Sequence, residues 1–152
     1  MELALSIFFW AFASNAQPES YSREEFQYKP YLSGELISFY TAVECKESEI
    51  DHVVSLKDAW DSGASEWDSK KRRDFANDRL NHVTACVSEN RSRGSTTPMV
   101  FKKRSQDGRG IDYEIVNWCS YIGIYLAVKQ KYELDISATV GMERSACASS
   151  IQ

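Results

Sequence analysis

The chain has 152 residues, 43% apolar and 26% charged, an ordinary globular balance for one domain with a sizeable core. There is no internal repeat and no low-complexity segment, so a solenoid or disordered chain is excluded. The net charge of −4 argues, by itself, against a polyanion partner.

Residues 3–13 form an apolar run of 11 residues, followed by the small residues of Ser14-Asn15-Ala16. This reads as a secretory signal over residues 1–16, cleaved after Ala16, with the mature domain at 17–152. The run is too short to span a bilayer, which takes about 20 apolar residues. One feature is atypical: the short stretch before it carries Glu2 and no Lys or Arg.

Residues 17–35 are polar with scattered aromatics and predict an irregular opening segment. Residues 36–43 (LISFYTAV) suit a strand or a short helix. Residues 49–56 (EIDHVVSL) alternate as a strand. Residues 57–62 suggest a helical turn ended by Gly63. A helix from the Ser65 cap to about Arg79 follows, burying Trp67 and Phe75. Residues 83–87 (VTACV) read as a second strand, and Ser88 as the cap of a short helix ending near Gly94. Residues 96–110 are basic and loop-like. Residues 111–132 carry the clearest helical period, through Ile115, Trp118, Cys119, Ile122, Tyr125, Leu126 and Lys129. A short helix is expected within 134–147. The class is α+β, in a single domain.

Cys45, Cys86, Cys119 and Cys147 contain no C-x-x-C pair, which disfavours a zinc knuckle. An even count in an exported chain suggests two disulfides, with three pairings open. Charge is uneven: residues 70–109 hold 11 basic and 4 acidic side chains, net +7. Such a stretch is either a phosphate-binding surface or a set of solvated charges.

The residues with chemical potential are Asp51-His52 on the first strand, with Asn81 and Asn90 beyond. Asp is a hard oxygen ligand suited to Mg²⁺, and Asn offers a neutral carbonyl oxygen. His can accept a proton from water at neutral pH. These types suit phosphodiester hydrolysis, which needs a base and a cation for the developing charge. An Asp-His pair alone is more often structural.

The pattern extends further. Asp51-His52, Ala59-Trp60, Ser62-Gly63-Ala64, Trp67, Phe75-Ala76-Asn77-Asp78, Asn81, Asn90-Arg91-Ser92, Gly94 and Pro98 follow one another as in HNH-family nucleases. About 85 of 152 positions resemble nucleases related to the C-terminal domain of the GmrSD restriction system, many of them small secreted bacterial proteins. The spacing from Asn81 to Asn90 also resembles the HNH domain of RNA-guided CRISPR nucleases.

The resemblance implies a ββα-metal (HNH) core with additional packing helices. It implies metal ligation by Asp51 and Asn90, with Glu49 as a further candidate, and one divalent ion, Mg²⁺ or Mn²⁺. His52 would be the general base, and Asn81 would bond the backbone that orients it. Arg91 and Arg93 would contact phosphate. The partner would be DNA, and RNA as a second substrate, bound through the backbone by a secreted monomer in the periplasm or outside the cell, without membrane insertion. The rivals are an interbacterial nuclease toxin and a catalytically silent nucleic-acid-binding module on the same fold. The sequence departs from the family at His82, where members usually carry an apolar residue, at Arg93, where they carry Lys, and at Met99-Val100-Phe101, where an aromatic is expected.

Overall fold

The computed structural model describes residues 20–109 and 111–149. The expected signal at 1–16 lies outside them. Two strands, β1 (Ser48–His52) and β2 (His82–Cys86), pair antiparallel in one two-stranded sheet, with Glu49 opposite Ala85, Asp51 opposite Val83 and His52 opposite His82.

Between the strands run two helices. In α1 (Leu56–Asp61) the Ser55 side chain accepts from the Asp58 amide, and the chain leaves through Gly63 at φ 129°, a backbone setting that disfavours any side chain. Helix α2 (Ser69–Ala76) is shorter than its pattern suggested. Its cap is Asp68, whose carboxylate accepts from the Lys71 amide, rather than Ser65. Phe75 is buried as expected, and Trp67 is partly buried.

Helix α3 (Val87–Arg93) starts where β2 stops, with Cys86 serving as both last strand residue and N-cap. Its buried residues are Glu89 and Arg93, one turn apart, so a charged face is turned inward. Gly94 closes it at φ 59°.

Three expectations are corrected. Residues 98–104, expected as loop, form α4 (Pro98–Arg104): Pro98 is preset for a first turn, and Phe101 anchors the helix in the core. The long helix begins only at Trp118 (α5, Trp118–Lys131), because residues 113–117 are tied elsewhere. The amides of Val116 and Asn117 donate to the Tyr40 carbonyl, and the Tyr113 amide donates to Ser105. Residues 36–43, expected as a strand or a short helix, form neither. Ile37 and Glu44 bridge around a tight turn in which the Ser38 hydroxyl accepts from the amides of Tyr40 and Thr41, an alternative to regular structure. The last helix is α6 (Ala138–Ser149).

The core is aromatic: Phe26, Tyr40, Phe75, Phe101, Tyr121 and Tyr125 lie in one apolar cluster with Trp60 and Leu126. Disulfides join Cys45 to Cys86 and Cys119 to Cys147. The first pins the Leu36–Cys45 turn to the β2–α3 junction, and the second ties α5 to α6. A buried ion pair also crosses the core: Lys129 Nζ lies 2.9 Å from Asp58 and 2.5 Å from Ser62 Oγ, and the Tyr125 hydroxyl donates to the same carboxylate. Removing one partner strands a buried charge. Lys129→Met should therefore lower unfolding free energy by about 3 kcal/mol, read as a lower urea midpoint at unchanged slope. An unchanged midpoint would show that Asp58 tolerates losing its partner.

Candidate functional site

β1 and α3 build one cleft. Alternation along β1 puts Glu49 and Asp51 on one face and Ile50 and His52 on the other. Glu49, Asp51, His52, Ser55, Lys57, Asn90, Arg91, Ser95 and the N-terminal residues Tyr21 and Arg23 line a cleft of about 260 Å³.

Asn90 Nδ2 donates to Glu49 Oε1 at 3.0 Å, so the two side chains are in direct contact. Asp51 lies deeper, 5% exposed. Both its oxygens accept from Arg93 Nη1, at 2.8 and 2.9 Å, and Oδ2 also accepts from the Tyr40 hydroxyl at 2.6 Å. Burial pushes the Asp51 carboxyl up, with the Arg93 charge and the Tyr40 hydroxyl opposing it.

Arg93 corrects the expectation of a phosphate contact. It is fully buried. Its guanidinium spans Asp51 and the Val53 carbonyl, and it sits 5.6 and 5.8 Å from the Phe101 and Tyr121 ring centres. Burial alone would lower its proton affinity, but the Asp51 carboxylate together with the Tyr40 and Tyr121 hydroxyls outweighs that and the net shift is upward. Arg91 is exposed on the same helix and stays at the cleft mouth.

The Lys70–Arg73 run is not a free cationic surface. Lys70 pairs with Asp74, Lys71 approaches Glu133, and Arg72 is buried against the Ala64 and Ser65 carbonyls and Glu25. Sequence reasoning missed Arg23 and Tyr21, since nothing local to residues 20–26 reports that the opening segment folds against the cleft.

His52 is 5% exposed and lies on the far face of β1. Its Nε2 is 2.8 Å from the Ala76 carbonyl oxygen. A carbonyl only accepts, so this contact assigns the proton to Nε2 and leaves the Nδ1 lone pair to accept. Nδ1 makes no hydrogen bond among the described residues. Asn81 is fully buried and clasps the next turn of chain: its Oδ1 accepts from the Val54 amide and its Nδ2 donates to the Val54 carbonyl, while its own carbonyl accepts from Val53. Those bonds fix the backbone directly after His52.

The donor types suit a hard divalent cation: the carboxylates of Glu49 and Asp51 and the amide of Asn90 belong to one cleft, and no cysteine lines it. Asp51 keeps lone-pair capacity on Oδ1, which accepts a single bond.

These features define a small, disulfide-bonded α+β domain with an oxygen-rich cleft beside a buried neutral imidazole. The chain belongs to the family described as GmrSD restriction endonucleases, C-terminal domain, whose model matches residues 10–137. It is also similar to an uncharacterized secreted protein of Arthroderma benhamiae, 34% identical over 103 residues that cover 66% of this chain and 45% of that one. The chain thus spans just under half the length of that relative. No solved structure matches. The family is nuclease-related, and the two disulfides fit an oxidising, extracellular setting. Among the described residues no helix is long and apolar enough to cross a membrane.

Burial holds His52 at about 3, well below its ordinary 6.5, with the Ala76 carbonyl acting in the other direction. Burial lowers His82 as well. Between those two pH values the unfolded chain binds the proton that the folded chain refuses. Stability is therefore full above pH 6.5 and is lost as pH falls toward 3. In EDTA, the protein should lose about 2 kcal/mol between pH 7 and pH 5, and His52→Gln should flatten most of that slope in urea titrations. A wild-type profile already flat over this range would contradict the buried neutral imidazole.

Proposed function

We propose that this protein is a secreted, metal-dependent endonuclease of the HNH (ββα-metal) type, hydrolysing phosphodiester bonds of DNA, and of RNA as a second substrate, with little sequence preference. One observation carries the reading: Glu49, Asp51, His52 and Asn90 all line a single cleft. The family description and the order of two strands and a helix around that cleft support it.

Asp51, Asn90 and Glu49 would hold one Mg²⁺ or Mn²⁺, with Glu49 the more open of the two carboxylates. Such an ion, when bound, supplies positive charge to the developing phosphorane and the leaving oxygen. His52 Nδ1 takes a proton from the water whose oxygen bonds to phosphorus. The ester P–O bond breaks on the opposite side, and the leaving oxygen is protonated from solvent. Low proton affinity keeps the base free at neutral pH, and the negative charge of an arriving phosphate raises that affinity as the proton moves. Asn81 holds the backbone that sets the imidazole. Arg91, with Arg23 across the cleft, contacts the phosphate backbone and reads no base edge, which gives strong salt dependence. Arg93 works from below, holding Asp51. Export rests on the disulfides, the secreted relative and the apolar leader at 1–16.

The test is nicking of supercoiled plasmid by the oxidised protein in Mg²⁺. Activity should vanish in EDTA and fall by roughly 100-fold or more in His52→Ala, with the circular dichroism of the variant unchanged. Wild-type protein that binds DNA but leaves it intact across Mg²⁺ and Mn²⁺ would replace this reading with that of a silent binding module.

A further inference from the structure

Outside the oxygen-lined cleft, three polar atoms meet at one point. His52 Nε2 and His82 Nε2 are 3.2 Å apart, and the Ala76 carbonyl oxygen lies 2.8 Å from the first and 3.0 Å from the second. The elements that deliver them are the ends of β1 and β2, paired in register, and the end of α2.

As hydrogen bonds, this triangle cannot be satisfied. The carbonyl can only accept. If both imidazoles carry the proton on Nε2, two N–H donors face each other across the 3.2 Å edge. If His82 carries its proton on Nδ1 instead, its Nε2 lone pair faces the carbonyl lone pairs at 3.0 Å. The mirror choice for His52 puts the same conflict on the shortest edge. Every tautomer leaves one edge where like meets like, and a cation between the three atoms resolves all of them.

We propose that a transition-metal dication of the Zn²⁺, Co²⁺, Ni²⁺ or Cu²⁺ class binds His52 Nε2, His82 Nε2 and the Ala76 carbonyl oxygen, and that it disables His52 as a base. The spacing is close to what it needs. Bonds of about 2.0–2.1 Å in a tetrahedral shell put ligands roughly 3.3–3.4 Å apart; the 3.2 Å edge between the imidazoles nearly matches, and the 2.8 and 3.0 Å edges to the Ala76 carbonyl open as the ion enters. Imidazole nitrogens select this class over Mg²⁺. The outer side of His82 is already braced: its Nδ1 is 3.3 Å from the Tyr31 hydroxyl, which can take the Nδ1 proton, and Arg79 stacks on the Tyr31 ring at 3.4 Å. That is the outer bond a ligating imidazole needs to free its Nε2. His82 is half-buried, so it offers the route in, and water takes the fourth position.

The consequence follows from the ring. A metal on His52 Nε2 moves the ring proton to Nδ1, and the lone pair that accepted from water is gone. No net proton is exchanged. The binding claim stands apart from the nuclease reading; the inhibition claim rests on it.

The experiment titrates Co²⁺ into the oxidised protein in excess Mg²⁺, reading visible absorption. The expected result is one Co²⁺ per chain with the intense bands of a tetrahedral centre, displaced by Zn²⁺, and bound at least tenfold more weakly by His82→Leu. His82→Gln, which keeps a polar side chain, guards against misfolding and should weaken binding likewise. Absence of Co²⁺ binding to wild type, or equal binding by a folded variant, overturns the proposal. In the nicking assay, Zn²⁺ should suppress wild-type cleavage at least tenfold and leave the with-to-without-Zn²⁺ ratio of His82→Leu near one. A protein that binds Co²⁺ as described yet never cleaves would sink the nuclease reading and leave the metal site standing.

Discussion

Everything at the cleft depends on how a seven-residue polar helix is held to a two-stranded sheet. α3 buries no apolar side chain; the residues it turns inward are Glu89 and Arg93. So short a helix has no stability of its own in water. It is held by charge. Arg93 grips Asp51 and the Val53 carbonyl, and Glu89 accepts from the hydroxyls of Ser38 and Thr41. Buried charges are costly unless paired and hydrogen-bonded, so these contacts permit few alternative registers for α3. The planar fork of Arg reaches a carboxylate and a carbonyl at once, which the single ammonium of Lys does less well. With Arg93 seated, Asn90 falls beside Glu49 and Arg91 faces out.

The turn over residues 36–45 acts as the clamp on this arrangement. It brings Tyr40 to Asp51, Ser38 and Thr41 to Glu89, and Cys45 to the cap of α3, and its Tyr40 carbonyl stops α5 from starting early. The cleft is thus braced from a segment with no chemistry of its own. In an oxidising compartment the Cys45–Cys86 link makes the brace covalent.

The period of the sequence exposed the strand around Asp51, the strand of residues 83–86 and the short helix with Asn90, because alternation and caps are local signals. Asn81 as a backbone clasp was legible only by resemblance. What stayed hidden was set by distant partners. Arg93 looked like a phosphate contact because a charge run does not reveal that its partner, Asp51, lies 42 residues earlier. The helical period of 111–117 was overridden by hydrogen bonds to the Tyr40 carbonyl, and the α4 helix was masked by its basic, loop-like composition. The meeting of His52 and His82 required the strand register, which no single segment of sequence states.

The central claim is that the charge-held helix brings Asn90, Glu49 and Asp51 to one hard cation. The direct measurement is Mn²⁺ binding by electron paramagnetic resonance, on oxidised wild-type protein and on Asn90→Ala. This account predicts one Mn²⁺ per chain, with affinity reduced roughly tenfold or more in the variant at unchanged fold. Equal binding by the two proteins, or none by either, would contradict it.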